Sequence, residues 1–143
     1  MNRKTWTTLV LAALLPAIAV TAGALAQDKD KPKTIKDVMG KLHKGTKAQS
    51  GVLKGQLKAD PIDWEAVQKT TKDFVILGAD LAKNDPPKGD KESWKNFADK
   101  YFATAKELDD AATAKDKSKV EAAQKSMGAS CKSCHDAHKG ESK

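Results

Sequence analysis

The chain has 143 residues, 26 of them basic and 19 acidic, for a formal charge of +7, with 39% hydrophobic and only 5% aromatic residues. Its length suits a single small domain, and the abundance of alanine, lysine and aspartate over β-branched and aromatic residues favours helix over sheet. The basic charge is almost all lysine, spread widely and with little aromatic interleaving, which argues against a nucleic-acid surface and leaves docking to acidic partners open.

The first segment reads as an export signal. Asn2, Arg3 and Lys4 form a positive start, an apolar stretch runs from Leu9 to Val20 with only Pro16 interrupting it, and Ala24-Leu25-Ala26 has the small-x-small form of a cleavage site. The apolar run is short for a membrane span. The expectation is a signal peptide over 1–26 cleaved after Ala26, a periplasmic mature chain beginning at Gln27, and no stable membrane anchor after cleavage. Residues 1–26 contain two of the 26 basic residues and none of the 19 acidic ones, so the mature chain carries about +5. Residues 27–33, charged and containing Pro32, read as a flexible leader.

Residues 34–143 read as four amphipathic helical segments. Thr34 can cap helix A, with Asp37 in a capping-box-like place, and Ile35, Val38, Met39, Leu42, Thr46, Gln49 and Leu53 follow at helical spacing. Gly45, Gly51 and Gly55 weaken its second half and predict a break near Gly45. Asp60-Pro61 reads as the start of helix B, whose inner face is Trp64, Val67, Thr71, Phe74, Val75, Gly78 and Leu81. Residues Asn84 to Asp90, with Pro86, Pro87 and Gly89 among them, break the chain. Asp90 can cap helix C, striped by Trp94, Phe97, Ala98, Tyr101, Phe102, Ala105, Leu108 and Ala112. Ser118 and Glu121 suggest a capping box for helix D, whose stripe is Val120, Ala123, Met127, Cys131 and Cys134, and Gly140 is a natural stop.

The most specific signal is Cys131-Lys132-Ser133-Cys134-His135, the C-x-x-C-H attachment motif for a covalent c-type haem. Residues three apart on a helix share a face, so both sulfurs can reach one edge of a porphyrin. His135 follows about 100° further round, from where its imidazole can swing beneath the ring to bind iron. Three other readings compete. A thioredoxin-like motif needs a βαβ context that is missing from the pattern. A zinc site could use Cys131, Cys134, His135 and His138, but such sites usually join two separated ligand pairs. A local Cys131–Cys134 disulfide is the bland reading. With haem, the fold class is all-α: an antiparallel four-helix bundle with one covalent haem at one end, the haem adding apolar surface to a core that is marginal alone.

The other iron position decides function. Met127 and His138 share the helix of His135 and should lie on its side of the ring. Helix A offers Met39, about 40° from the stripe set by Ile35, and His43, about 80° from it. Met39 is the expected distal ligand, with His43 as the alternative. Core packing is the ordinary role of an inward methionine, and a five-coordinate iron remains the third possibility.

Taken together, the four helical segments, the terminal C-x-x-C-H, Val38-Met39 in the first helix, and Trp94 and Phe97 after the Pro/Gly loop resemble the cytochrome c-prime family, particularly its low-spin, methionine-ligated members. The resemblance covers essentially the mature chain. One departure is Ile35, where the family often carries an arginine one turn before the distal residue; a basic group near the propionates would come from Lys36 or elsewhere. The resemblance implies electron transfer for six-coordinate members, binding of small gases such as nitric oxide or carbon monoxide for five-coordinate ones, and a possible homodimer through helices A and B. The leading expectation is a periplasmic one-electron carrier serving acidic redox partner proteins, with a gas-binding cytochrome as the alternative. No nucleophile triad, carboxylate pair or phosphate-binding glycine loop supports an enzyme.

Overall fold

The computed structural model describes residues 31–140; the predicted signal peptide, its cleavage site and most of the predicted leader lie outside the described residues. Among the described residues there are five helices and no strand: α1 (Ile35–His43), α2 (Gln49–Gln56), α3 (Trp64–Leu81), α4 (Lys91–Thr113) and α5 (Lys117–His138). None of them is long and apolar enough to cross a membrane.

Helix A of the sequence reading is two helices. α1 opens as expected, with the Asp37 N–H donating to Thr34 Oγ1 at 3.2 Å and the Thr34 hydroxyl donating back to the Asp37 carboxylate at 2.7 Å. It ends at His43 because Gly45 takes φ +94°, a left-handed value that suits a residue without Cβ, and the chain restarts as α2 after Ala48.

Two predicted helix starts are displaced. α3 begins at Trp64, where the Asp63 carboxylate accepts from Ala66 N–H at 3.0 Å; Asp60 and Pro61 lie in the preceding turn. α5 is capped by Asp116, which accepts from Lys119 N–H at 3.1 Å, so Ser118 falls inside the helix. In both places an aspartate side chain sits against the positive end of the helix and accepts the cap hydrogen bond. Asp90 caps α4 as predicted, accepting from Ser93 N–H at 2.7 Å.

The stripes converge on one core that includes Val38, Leu42, Leu53, Val67, Phe74, Leu81, Trp94, Leu108, Val120 and Met127. α3 packs on α4 and α4 on α5, while α1 and α2 pack on α3 and on each other. Polar ties fix the α3–α4 register: the Thr71 hydroxyl, fully buried, donates to Asp109 at 2.6 Å, and Gln68 Nε2 donates to the Ala112 carbonyl at 3.1 Å. α3 and α4 approach closely at Gly78, where a Cβ would lie 3.1 Å from the Tyr101 ring. The Trp94 indole N–H donates to the carbonyls of Leu81 (3.2 Å) and Asn84 (2.8 Å), holding the α3–α4 connection onto α4. Phe97 and Phe102, placed on the inner stripe by periodicity, are only partly buried: Phe97 stacks edge-on to His138, and Phe102 lies under Lys106. Lys33, the last residue of the predicted leader, is tied down, its N–H donating to Asp80 and its carbonyl accepting from Asn84.

Candidate functional site

The C-x-x-C-H motif occupies the last two turns of α5. Both thiols are free and partly buried, and Cys134 packs against the core. The Cys131 thiol points back along the helix to the Met127 carbonyl at 3.5 Å, which also accepts from the Ser130 hydroxyl at 2.8 Å. Burial, and then the neighbouring Cys131, push the Cys134 thiol pKa up, so an isolated Cys134 would be a poor redox nucleophile. The His135 imidazole is exposed, while its carbonyl accepts from Lys139 N–H at 2.9 Å to close the helix.

His138 lies in a different environment. It is 2% exposed, its Nδ1 stands 3.1 Å from the Lys88 carbonyl and its Nε2 3.1 Å from the Ser93 hydroxyl. A carbonyl can only accept, so Nδ1 carries the proton and Nε2 accepts from Ser93. Trp94 and Phe97 hold the ring edge-on at 5.5 and 5.6 Å between centroids. The zinc reading required His138 to turn toward Cys131, Cys134 and His135; among the described residues no group of three or more His, Cys, Asp or Glu side chains is gathered to hold a metal ion.

The loop from Asn84 to Asp90, read from sequence only as a break, clasps this end of α5. Gly89 has φ +82°, and a Cβ there would lie 2.8 Å from the Ala137 carbonyl and 3.0 Å from His138 Nδ1. Gly89→Ala is therefore expected to destabilise the protein by about 2 kcal/mol or more. Gly51→Ala, in a helix with nothing within 4 Å of the new methyl, should stabilise it by about 0.5–1 kcal/mol. Denaturant melts of the two variants check the contrast.

α1 brings its two candidates to the same neighbourhood. Met39 is partly buried against the core, and beside it Gly40 has nothing within 4 Å of its Cβ position. His43 Nε2 lies 2.8 Å from the hydroxyl of Tyr101, with its ring edge-on to Phe74 and Tyr101. Burial first, and then the charge of His135, lower the His43 pKa; burial, and then Cys131, push the Tyr101 phenol well up. Both shifts favour the neutral form of the group, and burial is the larger cause of each. Periodicity placed Tyr101, the only tyrosine in the chain, on the core stripe but could not foresee its bond to His43. The open cleft of about 390 Å³ along α4, bordered by Ser93, Asn96, Phe97 and Lys100, includes neither cysteine, so the site is defined by its donor groups and not by that hollow.

Residues 30–139 match the family model described as Cytochrome C'. The chain belongs to the cytochrome C' family. No curated protein and no solved structure matches it. Membership makes the chain a c-type cytochrome, whose cofactor is a c-type haem with its iron.

The residues of this cytochrome fit that group. Its two thiols are unpaired and three apart on one helix, the adjacent imidazole is exposed, and a thioether and a second imidazole stand on α1. On the outer side of α5, Lys125 and Lys132 are exposed seven residues apart, with exposed Lys139 seven further on, so the three follow one face. Lys132 is paired with Asp136 at 2.6 Å.

Proposed function

We propose that this cytochrome is an exported one-electron carrier, in which Cys131 and Cys134 would hold one haem through thioethers and His135 and Met39 would bind its iron. The observation that carries the reading is the division of labour on α1. His43 has its Nε2 engaged by Tyr101, whereas Met39 faces inward with a sulfur that makes no hydrogen bond of that kind. Such a group, when bound, supplies a reversible Fe(III)/Fe(II) couple, and a Met/His ligand pair raises its potential. The chain's own part is to hold the two thioethers on one face of α5, present His135 and Met39 from opposite helices, and keep water from the core side. In the gas-binding reading Met39 would be displaced from the same site by the added ligand.

An antiparallel four-helix bundle over 34–143 is the architecture we assign, α1 and α2 together counting as its first helix. Its support is the opposite running order of contacts: Gln68, Thr71 and Gly78 on α3 meet Ala112, Asp109 and Tyr101 on α4. Export rests on the sequence of residues 1–26, which carries the charge, apolar run and cleavage site of a signal peptide. The test is the intact mass of the protein from a periplasmic fraction. It should equal residues Gln27 to Lys143 plus one haem; a membrane-bound form retaining residues 1–26 would replace the signal with an anchor.

For partners we propose acidic redox proteins that dock on the lysine face of α5. Electron transfer should then slow as salt rises, since screening is strong beyond about 8 Å at physiological ionic strength. Lys125→Glu, Lys132→Glu and Lys139→Glu, each the same reversal of charge on that face, should each slow it at low salt. Stopped-flow oxidation by an acidic partner measures this, and a rate indifferent to salt and to all three changes would remove the docking face.

A further inference from the structure

The tether on His43 has a consequence for which ligand reaches the iron. Met39 and His43 are four residues apart on α1, so they lie on the same side of the helix one turn apart. Phe97, one turn before Tyr101 on α4, stacks on His138, three residues past His135 on α5, and Met39, Tyr101 and Cys134 all pack against the same core, which puts the pair beside the motif. A neutral imidazole is a competent iron ligand, so closeness alone does not keep His43 from binding. The hydrogen bond does. In either tautomer Nε2, the ring nitrogen farthest from the backbone, is occupied by the Tyr101 hydroxyl at 2.8 Å. Phe74 and Tyr101 brace the ring edge-on at 5.8 and 5.9 Å. Tyr101 cannot easily follow a moving His43, because its own ring is packed over α3, 3.1 and 3.3 Å from the Cβ position of Gly78.

Building on the covalent-haem reading above, we infer that Tyr101 is a positioning residue that holds the His43 imidazole off the iron and so reserves the sixth position for Met39 or an added ligand. Releasing His43 requires only that Nε2 exchange its hydrogen bond for a coordination bond, with the ring proton on Nδ1; nothing is oxidised or reduced.

The experiment uses the holoprotein. Met39→Ala should give a high-spin ferric haem by absorption and electron paramagnetic resonance. Adding Tyr101→Phe, which keeps the ring against Gly78 and removes the hydroxyl alone, should convert it to a low-spin, nitrogen-ligated haem. Adding His43→Ala as well should restore high spin. Added imidazole gives a second readout: its affinity should be at least about fivefold lower in Met39→Ala/Tyr101→Phe than in Met39→Ala, the hydrogen-bond strength being what competition gains. It should be equal in Met39→Ala and Met39→Ala/His43→Ala, a comparison that does not depend on how the Tyr101 variant folds. A Met39→Ala protein already ligated by His43, or a Tyr101→Phe double variant that stays high-spin with unchanged imidazole affinity, would overturn the assignment. A high-spin wild type would instead defeat Met39 ligation, and Tyr101→Phe alone should then still produce the low-spin form.

Discussion

Replacing both Cys131 and Cys134 with alanine is expected to abolish covalent haem and to cut the yield of folded protein sharply. Thioether bonds survive acid-acetone extraction and axial coordination does not, so the wild type should keep its haem in the protein fraction while the double variant releases whatever it has bound. The loss of folded protein follows from the core. Five of the seventeen residues in the buried apolar cluster are alanines, at 98, 105, 111, 112 and 123, so α4 and α5 bury little side-chain volume where they meet. A domain of this size has a thin margin of stability, of order 5–15 kcal/mol, and a tightly held group that binds only the folded chain contributes directly to it. Each single alanine variant keeps one attachment point and should retain haem in part. Free extraction of haem from the wild-type protein would end the covalent reading.

Met39→Ala is expected to turn a low-spin haem high-spin and to open the iron to carbon monoxide. A methyl group cannot replace the thioether, and with Tyr101 holding His43 the one imidazole on α1 is not free to take its place. His43→Ala, in contrast, should leave the spin state largely unchanged, losing a partly buried ring and one neutral hydrogen bond worth about 1 kcal/mol. Absorption spectra of the oxidised and reduced forms decide the matter. If His43→Ala changes the spin state and Met39→Ala does not, His43 is the ligand and the inward placement of Met39 is ordinary packing.

Much of this protein was legible in its sequence because the relevant interactions are local. The spacing of Cys131, Cys134 and His135 falls within two helical turns. The Thr34 and Asp90 caps span three residues each, and the break at Gly45 follows from the backbone freedom of one glycine. The caps at Asp63 and Asp116 were harder to foresee, since Asp60 and Ser118 nearby satisfy the same local rule and only the path of the preceding turn selects between them. What the tertiary structure alone decided joins residues far apart in the chain. His43 meets Tyr101 across 58 positions, and His138 meets Ser93 across 45 and the Lys88 carbonyl across 50. Helical periodicity reports which face a side chain occupies, so it could place Met39, His43 and Tyr101 on or beside the core stripes. Which of them bond one another depends on how α1, α4 and α5 are brought together, and that is set by packing across the whole core, with the close approach at Gly78 positioning Tyr101.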